Sequence, residues 1–282
     1  ANVLKNATGY DLTSLIIGSE GTLGIITTIV FRLIPLPTKD ITLFIPFGSV
    51  EKACESVSAV FRAGIIPSAL EFIERDAIDW TLKYTDVKLQ ITKDVEAHLL
   101  VEVDGNDMDV LYKECERIFE VMQEFECGEI LLADSESQKN QLWQLRRAIG
   151  EAVKSNSIYK EEDTVVPRAE LSKLLKGVKA IGKQYGFQSV CYGHAGDGNL
   201  HVNIIKGEMS DEDWNTKLTL GIREIFELTK SLGGTLSGEH GIGFVQKDYM
   251  DIVFSEKALV LQKGIKNLFD PYGILNPGKI LK

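Results

Sequence analysis

The spacing of apolar and polar residues changes period repeatedly along this chain, and each change marks an element. Residues 40–46 read as a strand and 50–63 as a helix. The pattern continues with a strand at 68–73, a helix at 74–84, a strand at 98–103 and a helix at 107–125. A short strand at 130–133 leads into a long helix at 135–154, then a strand at 158–166. Pro167 opens a helix that runs to Tyr185, with Gly186 as its stop signal. Two further helices are expected at 211–231 and 255–269. Connections are short enough for antiparallel neighbours. The pattern therefore predicts an α+β fold, an antiparallel sheet flanked by helices and packed by them on one side. A doubly wound parallel sheet is the alternative.

The first 37 residues have a different texture. Gly9, Gly18, Gly21 and Gly24 punctuate them, and a β-branched run at 25–33 predicts a strand that ends at Pro35 and Pro37. The two prolines read as a linker, so a domain boundary is expected there, with residues 1–37 on one side and 38–282 on the other. The loop GSEGTLG lets backbone approach something closely, since glycine has no Cβ.

Between 186 and 206 lies the stretch CYGHAGDGNLHVNII, starting at Cys191. It reads as two strands joined by a tight turn, and Asp197-Gly198 fits a two-residue loop. With that loop His194 opposes His201, at a Cβ separation of roughly 5 Å. Asn203 points to the same side, two residues on. A three-residue loop would spoil this pairing. The chain has four histidines, and two sit here in matched positions. The set predicts a metal or catalytic role, with two satisfied structural histidines as the alternative. Glu239 and His240 stand in another glycine-punctuated stretch, SGEHGIG. In extended chain they would point to opposite sides. One could then ligate a metal while the other faces a substrate. With His194 and His201, Glu239 makes a two-His, one-carboxylate set that leaves coordination positions open.

The helix at 135–154 carries Leu142, Leu145, Ile149, Ala152 and Val153 on one stripe, and Arg146 falls within it. A buried guanidinium needs an anion. Either a substrate carboxylate or an internal acidic partner would serve. Lys160 lies in a strand and is a weaker candidate of the same kind.

Composition narrows the classes. The chain has 282 residues, a net charge of −10 and 44% hydrophobic residues. No basic run stands out, which argues against nucleic acid. No apolar run is long enough to span a bilayer. The four cysteines are scattered without a CxxC pair, so a reducing cytoplasm fits best. A start at Ala1 in what reads as the middle of a fold points to a fragment.

Four motifs, GSEGTLGIIT, YGHAGDGNLHVN, SGEHGIG and NPGKIL, occur in this order. Together they resemble the FAD-linked oxidoreductases of the vanillyl-alcohol-oxidase superfamily, in the branch that acts on D-2-hydroxy acids. The resemblance implies the end of an FAD-binding domain (1–37) followed by a complete substrate domain (38–282). The segment that cradles the FAD pyrophosphate would lie upstream of the first residue. It also implies FAD and a divalent metal, Zn, Fe or Mn, held by His194, His201 and Glu239. His240 would be the catalytic base, and Arg146, Lys160 and Asn203 would contact substrate. Gly18, Ser19, Glu20, Gly21, Gly24, Ile25 and Asn276 would lie along the flavin. Some relatives carry Thr one turn after the Arg, where this chain has Gly150. A small 2-hydroxy acid is the implied substrate. The acceptor would be an electron-transfer protein or a quinone-linked subunit, which would place the protein in the cytoplasm or peripheral to a membrane. A homodimer is compatible with all of this. A metal-dependent hydrolase and a non-catalytic subunit are the other classes.

Overall fold

A computed structural model describes residues 3, 5–89 and 91–282. Compactness divides the chain into two units, one of residues 1–34 with 239–282, the other of residues 35–238. The break at 34/35 lies close to the proline linker. The tail joins the first residues rather than the domain it follows in sequence.

The larger unit is built on one seven-stranded sheet. In chain order after α1 (Leu12–Ile16, in the smaller unit) come β1 (Lys39–Phe47), α2 (Val50–Arg62), β2 (Ala69–Glu74) and α3 (Arg75–Tyr84). Next are β3 (Ala97–Gly105), α4 (Met108–Gln123), β4 (Leu131–Ala133) and α5 (Glu136–Asn156). Then follow β5 (Tyr159–Val165), α6 (Leu171–Tyr185), β6 (Gln188–Gly193), β7 (Asn199–Ile205) and α7 (Asp211–Ser231). The strand order is β4-β1-β3-β2-β6-β7-β5, and every pair is antiparallel. The α+β expectation holds and the parallel alternative does not.

Helices cover both faces, not one. Helices α3 and α5 pack on one face, around Phe44, Ile73, Leu100, Leu142, Leu145, Ile149, Val190 and Tyr192. Helices α2, α4, α6 and α7 take the other, because alternate strand residues such as Leu43, Val101 and Cys191 are apolar and buried there too. The long helix α5 starts at Ser135, whose hydroxyl accepts from the Gln138 N–H. Its buried stripe is the one its spacing predicts, and Leu145, Ile149, Ala152 and Val153 are fully enclosed.

The smaller unit holds α1, α8 (Met250–Val253) and α9 (Glu256–Phe269). The run at 25–33 is irregular in it, and Ile25, Val30, Phe31 and Leu33 are exposed. A strand needs a neighbour to complete its ladder, and no described residue of this unit supplies one. Here the glycine motifs meet. The Glu20 carboxylate accepts from the N–H groups of Ile242 and Gly243, each at 2.7 Å. The Glu20 carbonyl accepts from Asn276 Nδ2 at 2.5 Å. Lys266 donates to the carbonyls of Thr22 and Leu275 and to Asp270, and holds the Asp270 carboxyl down at about 2. GSEGTLG, SGEHGIG and the tail therefore form one knot, tied by Glu20 and Lys266.

Candidate active site

The hairpin that carries His194 and His201 closes by four residues, not two. Residues 195–197 coil into a 3₁₀ turn, and the Asp197 and Asn199 N–H groups both reach the His194 carbonyl, at 2.9 and 3.2 Å. Gly198 ends the turn at φ +78°, against the Val166 carbonyl, where a Cβ would sit 1.9 Å from that oxygen. The register is thereby shifted by two, and His201 opposes Tyr192. A shift of two preserves the face, whereas a shift of one reverses it. His194 thus remains beside His201 as its diagonal neighbour, with ring centroids 5.7 Å apart and nearly perpendicular.

The neighbouring strands complete this face. Glu71 of β2 is buried and reaches His194 Nδ1 at 2.7 Å through one oxygen. Its other oxygen accepts from Arg146 Nε and Nη2, at 2.8 and 2.7 Å. Burial by itself would raise the Glu71 carboxyl, but the His194 hydrogen bond and the Arg146 charge outweigh it and hold it below its ordinary value. Arg146 has therefore met an internal anion. Among the described residues its hydrogen bonds to Glu71 run through Nε and Nη2, not Nη1. The guanidinium also lies 5.1 Å from the centre of the Tyr192 ring. That ring is tilted against His201 at 5.2 Å. Burial, and then the charge of Glu161, push the Tyr192 hydroxyl up to about 12, so it stays a neutral donor.

Strand β5 supplies two carboxylates. Asp163 opposes His201 and Glu161 opposes Asn203. Both lie 3.7 Å from His201 Nδ1. Asp163 is buried and accepts from Asn199 Nδ2 at 2.6 Å and Ser237 Oγ at 2.8 Å. Its carbonyl accepts from the Gly238 N–H at 3.0 Å. Asn203 is buried on the same face, and its Nδ2 finds no hydrogen-bond partner among the described residues.

Lys160 does not join this group. Strand alternation sends it to the opposite face with Glu162, whose carboxylate is 3.8 Å away. The residue that β5 turns toward the histidines is its neighbour, Glu161. Glu239 and His240 belong to the smaller unit. Their side chains do not diverge as extended chain would require: the backbone bends there, and Glu239 Oε1 lies 4.0 Å from His240 Nε2. Glu71, Tyr192, Glu161 and Asp163 were not expected in the site. The signal for Glu71 was a carboxylate inside the apolar strand ALEFIE, two residues from Ile73 on one face.

The donor set suits a divalent cation. Two imidazoles share a face, and a carboxylate on His194 Nδ1 favours the tautomer with its proton there and a lone pair on Nε2. Glu71, Glu161 and Asp163 also outnumber Arg146 on this face, a negative excess that a cation would balance.

Residues 36–280 match the model of the family described as FAD linked oxidases, C-terminal domain. The chain belongs to this family. It is 35% identical to a D-lactate dehydrogenase of Anaerostipes hadrus, covering 99% of this chain and 60% of the relative. It is 33% identical to glycolate oxidase subunit GlcD of Bacillus subtilis, covering 98% and 58%. A D-2-hydroxyglutarate dehydrogenase of Stutzerimonas stutzeri is 34% identical, covering 99% and 60%. The chain thus spans about 60% of the length of such curated relatives. Among solved structures, p-cresol methylhydroxylase with substrate bound superposes with a TM-score of 0.72 at 14% identity, covering 99% of this chain and 60% of that one. That likeness shows the fold. No described helix is long and apolar enough to cross a membrane, and all four cysteines are free.

Proposed function

We propose that this chain is the substrate-binding part of an FAD-dependent dehydrogenase that oxidises a D-2-hydroxy acid to its 2-oxo acid with help from a divalent metal. The observation that carries this reading is the pair His194 and His201 on one sheet face, with Glu71 on the first and Arg146 and Asn203 beside them. His194, His201 and Glu239 are the metal ligands. Zn, Fe and Mn all suit imidazole and carboxylate.

When bound, the metal would supply Lewis acidity that lowers the hydroxyl pKa, and the flavin would supply the hydride-accepting chemistry. The chain's own residues do the rest. Arg146 Nη1 and Asn203 Nδ2 donate to the substrate carboxylate and orient it. His240 takes the hydroxyl proton on an imidazole nitrogen. Ile25, the open glycines Gly18 and Gly24, and Ser19, Gly21 and Asn276 face the flavin. No described atom comes within 4 Å of a Cβ built at Gly24, so packing within this chain does not explain that glycine, whereas Gly18 holds the left-handed turn at φ +78°. Glu20 supports that loop from within. An electron-acceptor protein or a quinone-linked subunit accepts the electrons, in the cytoplasm or at the membrane surface.

The test is turnover of D-2-hydroxy acids by the flavin-loaded enzyme with a dye as acceptor, beside elemental analysis. Wild type should oxidise at least one such acid and hold metal. His194→Ala and His201→Ala should lose both metal and activity. Stoichiometric metal in both variants would refute the ligand assignment. His240→Ala should lower turnover about 10²–10⁴-fold with metal retained.

A further inference from the structure

We infer that Glu161 makes this site selective for 2-hydroxy acids with a single carboxylate and turns away dicarboxylic ones. The inference rests on the activity proposed above. It starts from the two faces of β5. Register places Glu161 directly across from Asn203, two positions along from Asp163 and His201 and on the same face. Opposed residues share a face with Cβ atoms roughly 5 Å apart. A substrate group bonded to Asn203 therefore lies close to the Glu161 carboxylate, which is partly exposed at 27%.

A second substrate carboxylate would need a second cation, and this face of the sheet offers none among the described residues. Arg146 is already shared with Glu71. Lys160 leaves through the opposite face toward Glu162. Lys154, at the end of α5, is half exposed and paired with Glu151 at 2.8 Å. Where a cation would be needed, β5 presents an anion. One helical turn after Arg146, Gly150 has no side chain to offer, and its Cβ position would sit 3.5 Å from the Tyr192 hydroxyl. That side of the site is closed by a neutral group. One carboxylate can be held, and a second meets Glu161.

The test compares D-lactate with D-2-hydroxyglutarate as substrates of the flavin-loaded enzyme. Calorimetric titration with their products, pyruvate and 2-oxoglutarate, gives a readout independent of turnover. We expect kcat/KM to favour the monocarboxylic acid at least 100-fold, with product affinities ordered the same way. Glu161→Lys should narrow both ratios at least tenfold, mainly through tighter binding of the dicarboxylate. Glu161→Gln should narrow them about threefold, which separates charge from size and serves if the Lys variant does not fold. Equal or better use of D-2-hydroxyglutarate by the wild type overturns the inference and leaves the dehydrogenase reading standing. Unchanged ratios in the variants do the same. Turnover of no 2-hydroxy acid by folded, flavin-loaded protein overturns the activity itself, and the inference with it.

Discussion

Strand β2 carries two buried carboxylates three residues apart, Glu71 and Glu74, and they have opposite fates. Three is an odd spacing, so the pleat sends them to opposite faces. Glu74 lies among α2 and α6, where it accepts from Lys179 at 2.8 Å and from the Cys191 N–H at 2.6 Å. Burial outweighs these partners and raises the Glu74 carboxyl. The same dry surroundings, together with Glu74, push the Cys191 thiol up to about 12. Glu71 is just as buried, yet His194 and Arg146 hold it low. The difference lies in the partners. Glu74 meets a backbone amide and one partly exposed lysine, which also donates to the Ser189 carbonyl at 2.7 Å. Glu71 meets an imidazole and a guanidinium that stand beside His201 and Tyr192 on the polar face of the sheet. A buried charge whose partners stand among further polar side chains on one sheet face marks a site, and one whose partners lie between strand and apolar helices marks a staple.

The largest test of that contrast is Glu71→Gln against Glu74→Gln. Loss of a carboxylate behind a metal-binding histidine weakens metal affinity about 10–100-fold. Glu71→Gln should therefore lose metal by that factor in a chelator competition, with kcat/KM falling at least as far. Glu74→Gln should keep both per folded molecule. Equal losses would erase the distinction between the two faces.

The second test is thermodynamic. Lys179→Met strands Glu74 without its cation. Because the Lys179 side chain is 41% exposed, water screens the pair, and the cost should be about 2 kcal/mol rather than the larger figure for a fully buried pair. Adding Glu74→Leu should recover most of it, since apolar replacement of both partners is often neutral. Urea melts of the single and double variants check this. A double variant less stable than the single would mean that Glu74 holds β6 chiefly through the Cys191 amide.

The sequence revealed the elements more readily than the contacts. The stripe of α5 was readable because its five apolar residues follow one helical face, and Arg146 was conspicuous inside it. The hairpin register was not, since an Asp-Gly pair fits a two-residue loop as well as the end of a longer coil. The face of the histidines survived that error because the shift was even. In YKEEDTV, charges stand at adjacent positions, so periodicity could not tell Lys160 from Glu161. Pairing with β7 decides it. The strand expected at 25–33 had the right composition but no partner within its unit. The knot at Glu20 joins residues more than 220 apart, and glycine spacing marks such loops without saying which of them meet.

The smallest effect extends the contrast from carboxylates to histidines. His98 lies on the same sheet face as Glu71, opposite Ile73 in the register, but among apolar groups. It stacks on Phe44 with centroids 4.2 Å apart, and its Nδ1 has no hydrogen-bond partner among the described residues. Burial, and then the charge of Arg75, lower its pKa to about 3. The folded protein therefore keeps His98 neutral where the unfolded chain takes up a proton, between about pH 6.5 and pH 3. Over that window the unfolded state binds more protons, so stability falls as pH falls. At pH 5.5 this amounts to about 1.4 kcal/mol, one unit below the unfolded pKa. His98→Phe keeps the stack and removes both the proton and the unpaired nitrogen. Near pH 7.5 it should be neutral or slightly stabilising. On going to pH 5.5 it should lose about 1.4 kcal/mol less than the wild type does. Parallel pH dependence in the two proteins would show that His98 takes up its proton in the folded state as readily as in the unfolded one. The difference between a partnered and an unpartnered histidine on this face would then disappear.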